Sequence, residues 1–336
     1  MKSYNVGILG ATGAVGREML KVLEERKFPV NELRLLASER SVGKTLTFNG
    51  KNVEVKLACK GAFKGLDIVL GAASNPVAIE FKDDIVSSGA VFIDNSSAFR
   101  GDEDVPLVVP EINPEDIFKN KGVISNPNCS TIITLVAVNA INKLSKIKTM
   151  NACTYQATSG AGINGPIELR NQEKALLEGG KIESNVFQYQ IAENVIPQIG
   201  GFLENGYTKE EMKMQNEGRK IMHLPDLLVT CTCVRVPVVR SHSIAVTVVT
   251  EDKLDINTVK NAISKEAGCR LYDDPEKLLY PMPLVTSDQD IVFVGRIRKD
   301  LTNEKGITLW CSGDQVRKGA ATNAVQIALK LIGLEC

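Results

Sequence analysis

The chain has 336 residues, enough for about two domains of ~150 residues, each with a buried core. Its 40 basic and 40 acidic residues cancel, which excludes the uniform positive field that nonspecific binding to nucleic acid or an anionic membrane requires. Hydrophobic residues at 43%, charged residues at 24% and the lack of low-complexity tracts mark an ordinary folded enzyme or binding protein.

The amino-terminal MKSYNVGILG runs from one lysine into a strand and a glycine turn, so it reads as structure and not as a secretory signal. Tyr4 to Leu9 is a short apolar strand, and Val15, Met19, Val22 and Leu23 then fall on one face of a helix. Leu33 to Ala37 reads as the second strand. Ile68 to Leu70, Val91 to Ile93, Leu107 to Val109 and Val123 to Ser125 read as further short strands. Strands separated by crossovers predict an α/β fold, a doubly wound parallel sheet over residues 1–128. Beyond Cys129, Ile132 to Leu144 has helical spacing; its most apolar part, Ile132 to Ile141, is broken by Thr134 and Asn139 and falls short of the ~20 residues of a membrane span. Met150 to Ala157, Leu228 to Val236 and Ile244 to Val249 read as longer strands and predict a second, α+β domain over 129–318. Gly179 to Gly218, rich in Gly, Asn and Gln, reads as an excursion or interface arm. From Gly319, the spacing of Ala320, Ala324, Ile327, Ala328 and Leu331 predicts a C-terminal helix over 319–336 that packs back on the first domain.

In GILGATGAVG, Gly7, Gly10, Gly13 and Gly16 lie between the first strand and the first helix, where backbone amides and the helix dipole hold a pyrophosphate. Gly10, Thr12, Gly13, Ala14 and Val15 line that turn. At the end of the second strand, Glu39 alone argues for the ribose of NAD, whereas Ser38, Ser41 and Arg40 argue for the 2′-phosphate of NADP. The balance favours NADP.

Eight cysteines, at 59, 129, 153, 231, 233, 269, 311 and 336, form no Cys-x-x-Cys pair, so a reducing cytoplasmic setting is expected. Cys129, in NPNCST, follows a strand and precedes the helical stretch, where amides and the helix dipole stabilise a thiolate. The other seven read as small apolar core residues. With two histidines in the chain, no metal site is expected. His223 reads as structural, and His242, in RVPVVRSHS, is the candidate partner of the thiol. A thiolate beside a nicotinamide has a specific use. Adding to an aldehyde, it makes a thiohemiacetal that gives up hydride and becomes a thioester, which phosphate or water cleaves.

The stretches GATGAVG, SERSVGK, NSSAFR, VPEIN, SNPNCSTI, YQATSGAG, NVIPQI, NGYTKEE, RVPVVRSHS and DQVRKGAA occur in family order, and through them the chain closely resembles aspartate-β-semialdehyde dehydrogenase of the bacterial type over essentially its whole length. The resemblance implies a Rossmann-type domain and a catalytic and dimerisation domain of the glyceraldehyde-3-phosphate dehydrogenase-like kind. It further implies NADPH-dependent reductive dephosphorylation of 4-phospho-L-aspartate to L-aspartate 4-semialdehyde, reversibly, in the route to lysine, threonine, methionine and isoleucine. Carried over, Cys129 is the acyl-thioester nucleophile, His242 the general acid/base, and Gln156 the side chain that positions substrate beside the sulfur. Arg235 grips the α-carboxylate, Glu217 pairs the α-ammonium, and Arg100 with Lys220 holds the phosphate. Ser159, Gly160 and Gln315 lie near the nicotinamide, and the family is usually a homodimer or homotetramer. The rival readings are N-acetyl-γ-glutamyl-phosphate reductase, more distantly glyceraldehyde-3-phosphate dehydrogenase, and a noncatalytic NADP-binding sensor.

Overall fold

A computed structural model describes residues 2–335. They fall into two compact units, one running to Asn128 and resuming at Ala320, the other Cys129–Gly319.

The first unit is built on seven strands: β1 (Tyr4–Leu9), β2 (Val30–Ala37), β3 (Thr45–Phe48), β4 (Lys51–Leu57), β5 (Ile68–Gly71), β6 (Val91–Asp94) and β7 (Val123–Ser125). They lie in the order β3-β4-β2-β1-β5-β6-β7, all parallel except the β3–β4 hairpin. The order reverses between β1 and β5, the switch point at which open α/β sheets bind ligands. One face is covered by α1 (Ala14–Glu25), through Met19, Val22 and Leu23, and by the C-terminal helix Thr322–Leu331, through Ala324, Val325 and Ala328. The other is covered by α2 (Asn75–Ser87), whose Ala78, Phe81 and Ile85 pack with Phe63 and Phe92.

Several expected elements differ. Leu107 to Val109 is no strand; a single parallel bridge from Leu107 to Ser125 is all the pairing it makes. The β3–β4 hairpin goes beyond the expected strands; its apolar residues are few, Leu46 and Phe48 on β3 and Val53, Val55 and Leu57 on β4, each alternating with polar ones. The C-terminal helix ends at Leu331, short of 336, which lies outside the described residues. Among the described residues no helix is long and apolar enough to cross a membrane.

The second unit has six strands, β8 (Ile147–Gln156), β9 (Leu228–Arg235), β10 (His242–Thr250), β11 (Cys269–Leu271), β12 (Val292–Lys299) and β13 (Gly306–Gly313), in the order β11-β12-β13-β10-β8-β9. Its core helix α3 (Cys129–Leu144) is buried on nearly every side from Ser130 to Ile141, as expected of a helix that is apolar all round. It packs on β8, β10, β12 and β13 and against two further helices, α5 (Lys209–Ile221) and α6 (Ile256–Lys265). A short helix α7 (Pro283–Thr286) precedes β12.

β8 and β9 are parallel neighbours, so the chain between them must cross back to the end at which β8 began. That crossover carries α4 (Asn164–Glu178), the irregular segment 179–208 and α5, so the expected arm is helical from Lys209 on. The sequence pattern hides α5 because its buried face includes Glu211 and Glu217 beside Met214 and Ile221. Side chains of α4 hold the irregular segment. Glu168 accepts the backbone N–H groups of Asn185 (2.7 Å), Val186 (2.5 Å) and Phe187 (3.1 Å), and Gln172 accepts those of Ile191 and Ala192. Phe187, Ile191, Ala192 and Ile196 then bury with Leu169 in a small core. Glu168→Leu removes the acceptor of three backbone donors, of which the Phe187 N–H is buried, so unfolding in urea should show a loss on the order of 2 kcal/mol; a loss under about 0.5 kcal/mol would mean that Glu168 does not anchor the segment.

Candidate active site

In the first unit, the turn after β1 is shaped by backbone crowding. Gly10 has φ +85° and a Cβ there would lie 2.6 Å from the Ala72 carbonyl oxygen, while a Cβ on Gly16 would lie 2.4 Å from the Gly10 oxygen. Gly13 caps α1 without a side-chain bond to the first-turn amides. Close backbone and uncapped amides at a helix N-terminus suit a pyrophosphate. Thr12, Gly13, Ala14 and Val15 are half-buried along this turn. Thr12 Oγ1 lies 3.1 Å from Ser41 Oγ, which brings the loop after β2 alongside. There Ser41 is buried, and Ser38, Glu39 and Arg40 are exposed. Arg100, also in this unit, donates from Nη2 to the Asn95 carbonyl at 2.7 Å.

In the second unit, Cys129 is the first residue of α3. Gly319 backs it so closely that a Cβ there would lie 2.9 Å from Cys129 Cβ. Arg235, the last residue of β9, is buried, and so is Gln156, which ends β8 in register with it. Three contacts hold Arg235: its backbone exchanges hydrogen bonds with Ile196 (2.8 and 2.9 Å), Nη1 donates to the Ala157 carbonyl (2.6 Å), and the guanidinium lies 5.7 Å from the centre of the Phe187 ring. Burial pulls the Arg235 guanidinium below its ordinary value, opposed by the negative charge of Cys129 and then of Glu210. The same attraction favours an anionic sulfur.

His242, the first residue of β10, is fully buried. Its Nδ1 accepts the Ala157 backbone N–H at 3.0 Å, which leaves the single proton of the neutral ring on Nε2. Nε2 has no hydrogen-bond partner among the described residues. Burial, then the Arg235 charge, pushes the ring down to about 3, against a smaller pull from Glu210. Gly160 joins these groups: a Cβ there would lie 2.9 Å from Arg235 Nη1 and 3.3 Å from His242 Nε2. The structure thus gathers Arg235, His242 and Gly160, and sets Arg235 within electrostatic reach of Cys129.

Gln156, whose default sequence reading without the resemblance would be a strand residue facing water, is buried. Its Oε1 accepts Thr154 Oγ1 (2.9 Å) and its Nε2 reaches Glu210 at 3.4 Å. Glu217 is buried on α5 and Lys220 half-buried one turn on. Gln315 spans two segments, accepting the Ser241 N–H at 2.8 Å and donating to Ser159 Oγ. Glu210 was missed by sequence reasoning. The run Thr208-Lys209-Glu210-Glu211 is a capping box, with Thr208 and Glu211 bonded reciprocally, and it would have marked the start of α5. Of the other cysteines, Cys59 is exposed and Cys153 half-buried, contrary to a core reading, whereas Cys231 and Cys233 are buried on one face with sulfurs 3.8 Å apart.

Comparisons with known proteins cover both units. Residues 5–120 match the semialdehyde dehydrogenase NAD binding domain and residues 138–318 the semialdehyde dehydrogenase dimerisation domain. The aspartate-semialdehyde dehydrogenase of Aquifex aeolicus is 50% identical over 98% of both chains, and that of Bacillus subtilis 46% identical over 98% of both. The chain belongs to the aspartate-semialdehyde dehydrogenase family. A solved structure, aspartate semialdehyde dehydrogenase II of Vibrio cholerae complexed with ASA, superposes with a TM-score of 0.97 at 47% identity over 99% of both chains.

Because the folded value of His242 lies below the ~6.5 of a free imidazole, the unfolded chain protonates first as pH falls. The stability that neutral His242 contributes is complete above about pH 6.5 and drains toward pH 3. In ¹⁵N-histidine NMR at pH 6, the His242 ring should be neutral and protonated on Nε2. An imidazolium signal there, or a proton on Nδ1, would contradict this geometry.

Proposed function

We propose that the protein catalyses the reversible, NADPH-dependent reductive dephosphorylation of 4-phospho-L-aspartate to L-aspartate 4-semialdehyde and phosphate, in the cytoplasm, through a thioester on Cys129. The observation that carries the reading is a cysteine at the first residue of a buried helix within the field of a buried arginine. The Vibrio cholerae relative complexed with ASA supports the same substrate class.

In the biosynthetic direction the Cys129 sulfur attacks the acyl carbon, the carbon–oxygen bond to phosphate breaks, and phosphate leaves with the electron pair. Arg235 binds the α-carboxylate through its planar fork, which a point charge does not reproduce. Glu217 is assigned to the α-ammonium, Arg100 and Lys220 to the phosphate, and Gln156 to positioning the acyl group beside the sulfur. The bound nicotinamide supplies the hydride that reduces the thioester carbon. His242 holds its Nε2 proton toward the oxygen that becomes negative, and does so best as a neutral ring, since charging it beside Arg235 is costly. The tetrahedral carbon then expels the sulfur, leaving the aldehyde.

The glycine turn suits a dinucleotide; Arg40 and Ser38, exposed beside Ser41, favour NADP over NAD. Ser159, Gly160 and Gln315 are assigned to the nicotinamide end. The match to a dimerisation domain supports assembly as a homodimer or homotetramer.

A steady-state assay with aspartate semialdehyde, phosphate and either NADP or NAD tests substrate, chemistry and cofactor together. Phosphate-dependent NADPH formation is expected, with Cys129→Ala lowering turnover by roughly 10⁴-fold or more while NADP binding is kept. Turnover that survives the loss of the sulfur would reject the mechanism.

A further inference from the structure

Ser241, immediately before His242, has φ +72°. A side-chain-bearing residue in the left-handed region costs on the order of 1–3 kcal/mol and persists where surrounding contacts over-determine it. Those contacts are present. The Ser241 N–H donates to Gln315 Oε1 at 2.8 Å, and its Oγ lies 3.0 Å from Ser287 Oγ. Behind Gln315 stands Asp314, fully buried at the end of β13. Its Oδ1 accepts the N–H groups of Val316 (2.9 Å) and Arg317 (3.0 Å), and its Oδ2 accepts Arg240 Nε (2.6 Å) and the Asp288 N–H (2.7 Å). Arg240 Nη1 also reaches the Asp288 carboxylate at 3.0 Å. The Asp314 carbonyl accepts the Gly319 N–H at 3.0 Å, the same Gly319 that backs Cys129.

One side chain therefore ties together Arg240, two residues before His242, the loop at Asp288, and the turn that leads to Gly319. A carboxylate suits this place because four donors converge on it and it alone offers four acceptor sites and no proton. We propose that Asp314, acting through Arg240, is a positioning residue for the reaction: it holds the left-handed corner at Ser241, and with it the direction of His242 Nε2, while fixing the backbone behind Cys129. The proposal rests on the reading of Cys129 and His242 as reacting groups.

Asp314→Asn keeps the shape of the side chain but turns an N–H₂ group toward two of the four donors. In the full-length enzyme it should lower kcat by about 10- to 100-fold, the scale of a misplaced catalytic group, with the KM for aspartate semialdehyde changed by less than about 3-fold and the His242 ¹⁵N resonances shifted. Adding Ser241→Gly, which adopts φ +72° without strain, should restore a good part of kcat; a merely structural loss would gain nothing from it. Should Asp314→Asn fail to fold, Arg240→Met, on a side chain partly open to water, is expected to give the same pattern and the same rescue. A folded Asp314→Asn enzyme with unmoved His242 resonances, or a double variant no more active than the single, would overturn the proposal. Shifted resonances with undiminished kcat would instead fault the role given to His242.

Discussion

A buried guanidinium at the end of β9, in the field of a sulfur at the start of α3, is the constraint around which the candidate site of the second unit is arranged. Burial disfavours the charge of Arg235, and the attraction of Cys129 first and Glu210 next offsets part of that cost. Much of the surrounding architecture serves to keep that charge still. The parallel pairing of β8 with β9 brings Gln156 and Arg235 side by side, and the crossover between them supplies Ile196 and Phe187 as backbone and ring supports. The irregular segment is thus part of the candidate site, held from behind by Glu168 and Gln172.

The same field explains why the histidine is neutral. A ring fully buried beside Arg235 cannot readily carry a second positive charge, and its Nδ1 is already committed to the Ala157 amide. What remains is a donor at Nε2, suited to stabilising an oxygen that turns negative and requiring no reorganisation when it does so. Proton placement here follows from strand register and burial together. Neither is visible in the residues that flank His242.

Legibility in the sequence followed the range of the forces involved. The glycine turn, α1 and α3 were readable because their signals are local: apolar spacing in both helices and a turn that admits no Cβ at Gly10 or Gly16. The family motifs singled out Arg235, Gln156 and Glu217, which as isolated polar residues would be taken for solvated groups, yet all three are buried. The helix α5 was obscured for a related reason, since glutamates occupy its inward face and erase the apolar stripe. Glu210 and Asp314 act through partners far along the chain, at Gln156 and Arg240, and no spacing rule connects such pairs. Leu107 to Val109 was misread because a short apolar run is equally compatible with a buried, unpaired connection.

A covalent acyl group on the Cys129 sulfur is the claim that joins fold, field and chemistry. Its most direct measurement is mass spectrometry of the enzyme quenched in acid during turnover with phosphoaspartate or the semialdehyde, followed by digestion. An aspartyl group on the peptide that contains Cys129, removable by hydroxylamine, is the expected result. Turnover with that peptide always unmodified, or with the group on another cysteine, would contradict the account.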